Sequence, residues 1–491
     1  LQTIINCNIV STHFKNLNVL ERNDMYKRSL LLAGVAAMAL QSPMAHAAEQ
    51  MSMDEIQAQL QQLAAQVQSL SKVVEQQNAT IKKQEAELNA QKQASAETAE
   101  TLANIQPAAG GVDTSGVKIS MKPTPKIESK DGKYSFQPTG RVHLDASFFD
   151  DDASDRASNA NLRRARLGFK GKLGDDFKYK TEVDFSEEGV DLKDVALTYT
   201  GIDAFDVKIG HHKPTFGFEN NTSSNYIMTM ERSTATNAFT RSEMIGANFL
   251  GGGENWSWAL GAFNESAGNS DTRDDEDFSV DGRITTNALA WFDEQTDNVL
   301  HIGAGASHRR PTGTVRFRAR PVGDGTNIID TGSFGAVETV NVYNAELGAV
   351  LGPFTLQTEY FDANVSRDNG NNDADFDGYF AQVGWFITGE TRPYKASTGK
   401  FGRVKPNNPF DLKAGGTGAV ELVAAYSNTD LNDQGAGILG GEADTATFGV
   451  NWHLTDRIRL MGNVVAIDTD DNASVANDDP TLYNFRAQWD F

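Results

Sequence analysis

The sequence predicts an all-β transmembrane fold: an antiparallel barrel of about sixteen strands, preceded by an N-terminal coiled-coil helix. Three observations predict it. From Tyr134 to the C-terminus, apolar and polar residues alternate with period two in one segment after another. The connections between these segments alternate between long and short, as extracellular loops and periplasmic turns do. The chain also stops on an aromatic residue, Phe491, at the end of such a segment.

Composition agrees. Hydrophobic residues make up 39% of 491, and the mean hydropathy is −0.44. Spanning strands need only about ten residues each, half of them facing lipid. The net charge of −22 argues against nucleic-acid binding. The single cysteine, Cys7, lies upstream of the predicted mature chain. That chain then has neither disulfide nor thiolate metal site.

The elements follow in chain order. Residues 1–24 carry no pattern and read as upstream or non-native sequence. From Met25, the basic pair Lys27-Arg28, an apolar stretch over 30–40 and Ala45-His46-Ala47 read as a secretory signal peptide over 25–47. Over 52–92, Leu60, Val67, Val74, Ile81 and Leu88 interleave with Ile56, Leu63, Leu70, Gln77 and Gln84 at spacings of four and three. This a/d seam predicts a periplasmic coiled-coil stalk. β-branched residues at a with Leu at d lean toward two strands, a lean that the two Gln weaken. Residues 93–133 read as a linker.

The barrel occupies 134–491. In the last strand Tyr483, Phe485, Ala487, Trp489 and Phe491 share one face, and Asn484, Arg486, Gln488 and Asp490 the other. Upstream, Val142, Leu144, Ala146 and Phe148 alternate with Arg141, His143, Asp145 and Ser147. Charges this regular cannot face a dry core, but they can face a wet lumen while their neighbours face lipid. The sixteen predicted strands lie near 134–149, 162–173, 177–185, 191–200, 205–213, 245–250, 256–264, 279–291, 299–309, 339–350, 354–361, 376–387, 419–426, 445–454, 457–466 and 481–491.

Acidic runs such as Asp150-Asp151-Asp152 and Asp274-Asp275-Glu276-Asp277 fall in the loops, so the chain's net charge does not describe its lumen. Basic residues concentrate elsewhere. Strand 162–173 carries Arg163, Arg164, Arg166, Lys170 and Lys172, and the next carries Lys178. In extended backbone Arg316, Arg318 and Arg320 point the same way, roughly 7 Å apart. Such a file of guanidinium groups suits a path for anions, because Arg forks bind phosphate oxygens bidentately. A hairpin edge in water reads equally well. Loop 214–244 contains Phe216, Tyr226, Ile227, Met228 and Phe239, and is expected to fold into the lumen. Connection 388–418 breaks the short-turn pattern, is basic, and is expected to plug or line the inner mouth.

These residues resemble the phosphate-selective porin family of the O/P type. The resemblance rests on Leu162-Arg163-Arg164-Ala165-Arg166, on Phe216-Gly217-Phe218-Glu219 leading to Met230-Glu231-Arg232-Ser233, on Thr388-Gly389-Glu390-Thr391-Arg392-Pro393-Tyr394, on Phe401-Gly402-Arg403-Val404-Lys405-Pro406, and on Phe491. It implies an outer-membrane homotrimer that passes phosphate or other small anions. Arg163, Arg164 and Arg232 then look like constriction arginines, with Arg316, Arg318 and Arg320 as a short ladder leading to them. Arg166, Lys170 and Lys178 would line the pore. Glu182, Asp184 and Glu231 are candidate acceptors for the P–OH group. Lipid and lipopolysaccharide are the expected surroundings, and no cofactor is implied. The alternatives are a general porin and a tethering role for the stalk. An enzyme is disfavoured, since the eight histidines form no nucleophile–base constellation, and His211-His212 point to opposite faces of a strand.

Overall fold

The computed structural model describes residues 116–121, 124–150, 158–186, 189–264, 278–320, 327–470, 472–473 and 479–491, with isolated residues 72, 82, 83 and 89. The chain divides into two units, Leu1–Val112 and Asp113–Phe491. The first holds only those isolated residues. The signal peptide, the residues before it, and nearly all of the heptad seam therefore lie outside the described residues.

Sixteen strands form the second unit's wall. They are β1 (Tyr134–Asp150), β2 (Asn159–Leu173), β3 (Phe177–Asp184), β4 (Asp191–Tyr199), β5 (Asp206–His212), β6 (Met244–Gly252), β7 (Trp256–Asn264) and β8 (Phe278–Asn287), then β9 (Val299–Arg310), β10 (Val337–Leu351), β11 (Phe354–Arg367), β12 (Ala374–Phe386), β13 (Ala419–Asp433), β14 (Ile438–His453), β15 (Ile458–Thr469) and β16 (Thr481–Asp490). Each pairs antiparallel with the next, and β16 pairs with β1 over Thr481↔Asp150 to Asp490↔Arg141. The sheet closes, with the edge of β1 beyond the reach of β16 only at its first residues.

The pleat sorts the side chains as the alternation predicts. On β16, Tyr483, Phe485 and Trp489 are exposed outward, while Asn484, Arg486 and Gln488 are buried inward. Three predicted boundaries fall short. β11 runs on to Arg367, β13 runs on to Asp433 and β14 begins at Ile438, so the connections after β11 and β13 are tight. Their added outward residues, such as Asn364 and Asn428, are polar, so the apolar half of the alternation stops before the strand does. Predicted strand 279–291 instead ends at Asn287, followed by a 3-10 turn over Leu289–Trp291. The stretch read as a linker contains a hairpin, Val117–Ser120 with Lys126–Ser129, that pairs with the start of β1.

Two connections fill the extracellular half of the lumen. Loop 213–243 folds inward, as its apolar residues led us to expect, and carries two short helices, α1 (Phe218–Asn221) and α2 (Thr234–Phe239). Phe216 and Phe239 from this loop, and Phe317, Ile328 and Ile329 from connection 311–336, form one apolar cluster with inward residues of β10–β16 such as Val342, Phe361 and Phe380. Connection 387–418 folds into the inner mouth, where Phe401 packs on Phe218 with ring centroids 4.7 Å apart. Apolar inward positions on β10–β15 thus seat the loops. The wall from β2 to β7 contributes no residue to that apolar cluster, which leaves the open space off-centre.

Candidate functional site

The open space is a cavity of about 680 Å³ between the inward faces of β1–β8 and the connections 213–243 and 387–418. Ten basic and five acidic side chains line it. Arg141 comes from β1, Arg164 and Arg166 from β2, Lys180 from β3, and Lys208 from β5. Loop 213–243 adds Lys213 and Arg232, and connection 387–418 adds Lys395 and Lys400.

Glu182 and Asp194, two of the three acidic lining residues on the strands, are already held. Glu182 receives Arg141 at 3.2 Å and Arg166 at 3.0 Å. Asp194 receives Lys208 at 3.3 Å and a close contact from Lys180. Lys180 also lies 3.5 Å from Glu182, and Arg166 also holds Asp184, so four cations share three carboxylates and the cluster carries net positive charge. Lys213 has no carboxylate partner at bonding distance among the described residues; it donates to the Asn220 side-chain oxygen at 3.0 Å. Arg141 also donates to Ser224 at 3.0 Å, which brings hydroxyls of the inserted loop to the lining. An anion entering this space meets fixed donors whose own counter-charges are outnumbered.

The predicted constriction arginines divide. Arg164 and Arg232 line the cavity, whereas Arg163 does not. A bulge between His143 and Leu144 of β1, opposite Arg164 and Leu162, leaves Arg163 without a cross-strand partner. An extra residue of this kind re-aims its neighbours, and here consecutive arginines both reach Glu231. Arg163 bonds it at 3.2 and 3.1 Å, Arg164 at 3.3 Å, and Arg486 of β16 at 2.6 Å. Arg486 also grips Asp145 at 2.7 and 2.6 Å. Glu231 is thus the anchor of the inserted loop, and it does not line the cavity. Arg232 points back into its own loop and donates to the carbonyls of Glu219 at 3.2 Å and Thr222 at 2.9 Å.

The other expected residues are placed as follows. Arg316, Arg318 and Arg320 share the exposed side of connection 311–336, with Phe317 and Ala319 buried between them. None of the three lines the cavity. Arg316 is engaged by Asp330. Arg166 lines the cavity; Lys170 and Lys178 lie lower on the same inward face, opposite Lys180 and Lys172. Of the candidate P–OH acceptors only Glu182 lines the cavity. Asp184 is taken by Arg166 at 2.7 Å and the Ala165 amide at 3.0 Å.

Sequence reasoning missed Lys208, Lys213 and Arg283 as lining residues; Lys395 and Lys400 belong to the basic connection expected to plug or line the inner mouth. It placed Arg141 and Arg486 on the inward face but gave neither a role. Their shared signal was a basic residue at an inward position of a period-two strand, or in an inserted connection.

Residues 136–491 match the family model described as phosphate-selective porin O and P. An uncharacterized protein of Caulobacter vibrioides is 30% identical over 406 residues, 79% of each chain. Porin O of Pseudomonas aeruginosa is 28% identical over 416 residues, covering 76% of this chain and 92% of its own. Among solved structures, an anion-selective porin from Comamonas acidovorans is 14% identical with a TM-score of 0.48, covering 73% of this chain and 100% of its own. The outer-membrane channel DcaP of Acinetobacter baumannii is 13% identical with a TM-score of 0.45, covering 74% and 99%.

Proposed function

Since the chain belongs to the phosphate-selective porin O and P family, an outer-membrane porin family of Gram-negative bacteria, we propose that it passes small anions, phosphate foremost, by diffusion through the off-centre cavity. One observation carries this reading. A chain with a net charge of −22 lines its open lumen with twice as many basic as acidic side chains. At about 0.15 M salt the Debye length is about 8 Å, so acidic loops further away are largely screened from the lumen. Charge-assisted hydrogen bonds contribute about 1.5–3 kcal/mol each. Two or three of them concentrate an anion yet release it, as conduction requires. The chemistry is passage, with no bond made or broken, and the protein acts as a channel rather than an enzyme.

A second reading, a broader small-anion porin, draws on one specific observation. Arg163 and Arg164 are committed to Glu231, and Arg316 to Asp330. Fewer free guanidinium forks give less discrimination among oxyanions. The homotrimer that the family resemblance implies would be joined by the periplasmic heptad stalk, although the a/d pattern by itself leans toward two strands.

Planar-bilayer recordings test the proposal. The reversal potential in a potassium chloride gradient is expected to show chloride preference. Added phosphate is expected to block chloride current, and to block it less in Lys213→Gln. A potassium-preferring pore would refute anion passage. Chloride preference without phosphate block would leave the broader reading.

A further inference from the structure

We infer that the hairpin formed by Val117–Ser120 and Lys126–Ser129 is a membrane foot, whose outward apolar face sits in the phospholipid leaflet around the periplasmic rim of the barrel. Strand register places it. Ile119 lies opposite Ile127. Ile127 lies opposite Phe136 of β1, Phe136 opposite Gly171 of β2, and Gly171 opposite Tyr179 of β3. Residues opposite one another share a face of the sheet. This row therefore continues the outward, lipid-facing side of the wall, where Phe136 meets Phe169 with ring centroids 5.6 Å apart. The neighbouring row, Lys118, Glu128, Ser135 and Lys172, continues the inward side.

The hairpin is fastened to the wall. The end of β16 reaches only to Gly140, whose amide and carbonyl both pair with Phe491 at 3.0 Å. Below that point the edge of β1 is free, and the hairpin takes it. Its turn is pinned from the inward side, where Gln137 bonds the buried Thr124.

The outward face lacks a cover among the described residues. Ile119 is 59% exposed, Ile127 47% and Phe136 44%. A cluster of this kind is costly in water. It is unbroken with a wall whose other outward residues face acyl chains. Polar residues on the reverse side keep their place in the aqueous mouth, the amphipathic division of an interfacial element. Lipid is thus the occupant that continuity of the face selects, ahead of a second copy of the chain.

Site-directed spin labelling of the full chain tests this, with Cys7→Ser as background, in vesicles of phosphatidylethanolamine and phosphatidylglycerol. Labels at Ile119→Cys and Ile127→Cys are expected to collide more with oxygen than with a nickel chelate. Labels at Lys118→Cys and Glu128→Cys are expected to show the reverse. Free access of the chelate to 119 and 127 would overturn the inference and place the face in water. Exclusion of both agents, with broadening from a neighbouring label, would overturn it in favour of a second copy. Ile119→Lys/Ile127→Lys provides a second test. The barrel is expected to fold, shown by unchanged heat-modifiable migration, while a label at Met121→Cys shifts from oxygen-accessible to chelate-accessible. An unchanged label at 121 would count against lipid contact.

Discussion

Arg486 is the residue on which most depends. It is fully inside the protein, yet bridges Asp145 on the wall to Glu231 on the inserted loop. Removing one partner of a buried network leaves charge uncompensated, at about 3–5 kcal/mol. Arg486→Met is therefore expected to lower the temperature at which the folded barrel converts to its unfolded band on electrophoresis. It is also expected to raise current noise, as loop 213–243 loses its anchor. An unchanged transition with quiet current would show that Arg163 and Arg164 suffice. A second residue-scale effect is pH dependence. Lys400, on the connection in the inner mouth, has its pKa pushed down to about 8 by burial and by the neighbouring Lys208 and Arg283. It is charged below that pH and neutral above it. Anion preference is thus expected to fall as pH rises from 7 to 9, and Lys400→Gln is expected to flatten that step. A step equally steep in the variant would assign it to another group.

At the scale of elements, the two inserted connections hold each other. Arg392 is buried; it donates to the Tyr226 carbonyl at 2.8 Å, pairs with Glu421 of β13, and lies over the Phe386 and Phe401 rings. The periplasmic connection thereby props the extracellular loop from below. Arg392→Ala leaves Glu421 buried with one cation fewer, again at about 3–5 kcal/mol. The inner mouth is expected to open, and single-channel conductance to increase while anion preference persists. Unchanged conductance would mean that the connection stays docked through its aromatic contacts alone. The apolar residues of 214–244 made the inward fold of that loop legible in sequence. Its partner surface was not legible. The inward valines and phenylalanines of β10–β15 look in sequence like interruptions of a polar face, and only the docked loops explain them.

At the scale of the molecule, closure of sixteen strands gives a wall that needs no partner to satisfy its backbone. Association therefore falls to other features, and the heptads over 52–92 are the candidate. Deleting 49–100 is expected to lower the temperature at which the oligomer dissociates, leaving monomeric barrels folded. A dissociation temperature equal to the parent's would remove the stalk from the oligomer's stability. The off-centre position of the cavity also belongs to this scale. It follows from which part of the wall seats the loops, and it determines that β1–β5, Arg283 of β8 and the connections 213–243 and 387–418 supply the charges an ion meets.

Period-two alternation determined the strand number and the inward or outward sense of most strand side chains, because a pleated strand reports its two faces directly in sequence. It also placed Arg141, Arg164, Arg166 and Arg486 on the inward side. Which of these an ion can reach was decided only by the tertiary structure. A β-bulge turned Arg163 toward Glu231, a carboxylate 68 residues away in sequence drew in two guanidinium groups, and Arg486 joined them across the closure of the barrel. Charge pairing depends on distances between segments remote in the chain, and such distances exist only once the wall has closed and the loops have folded into it.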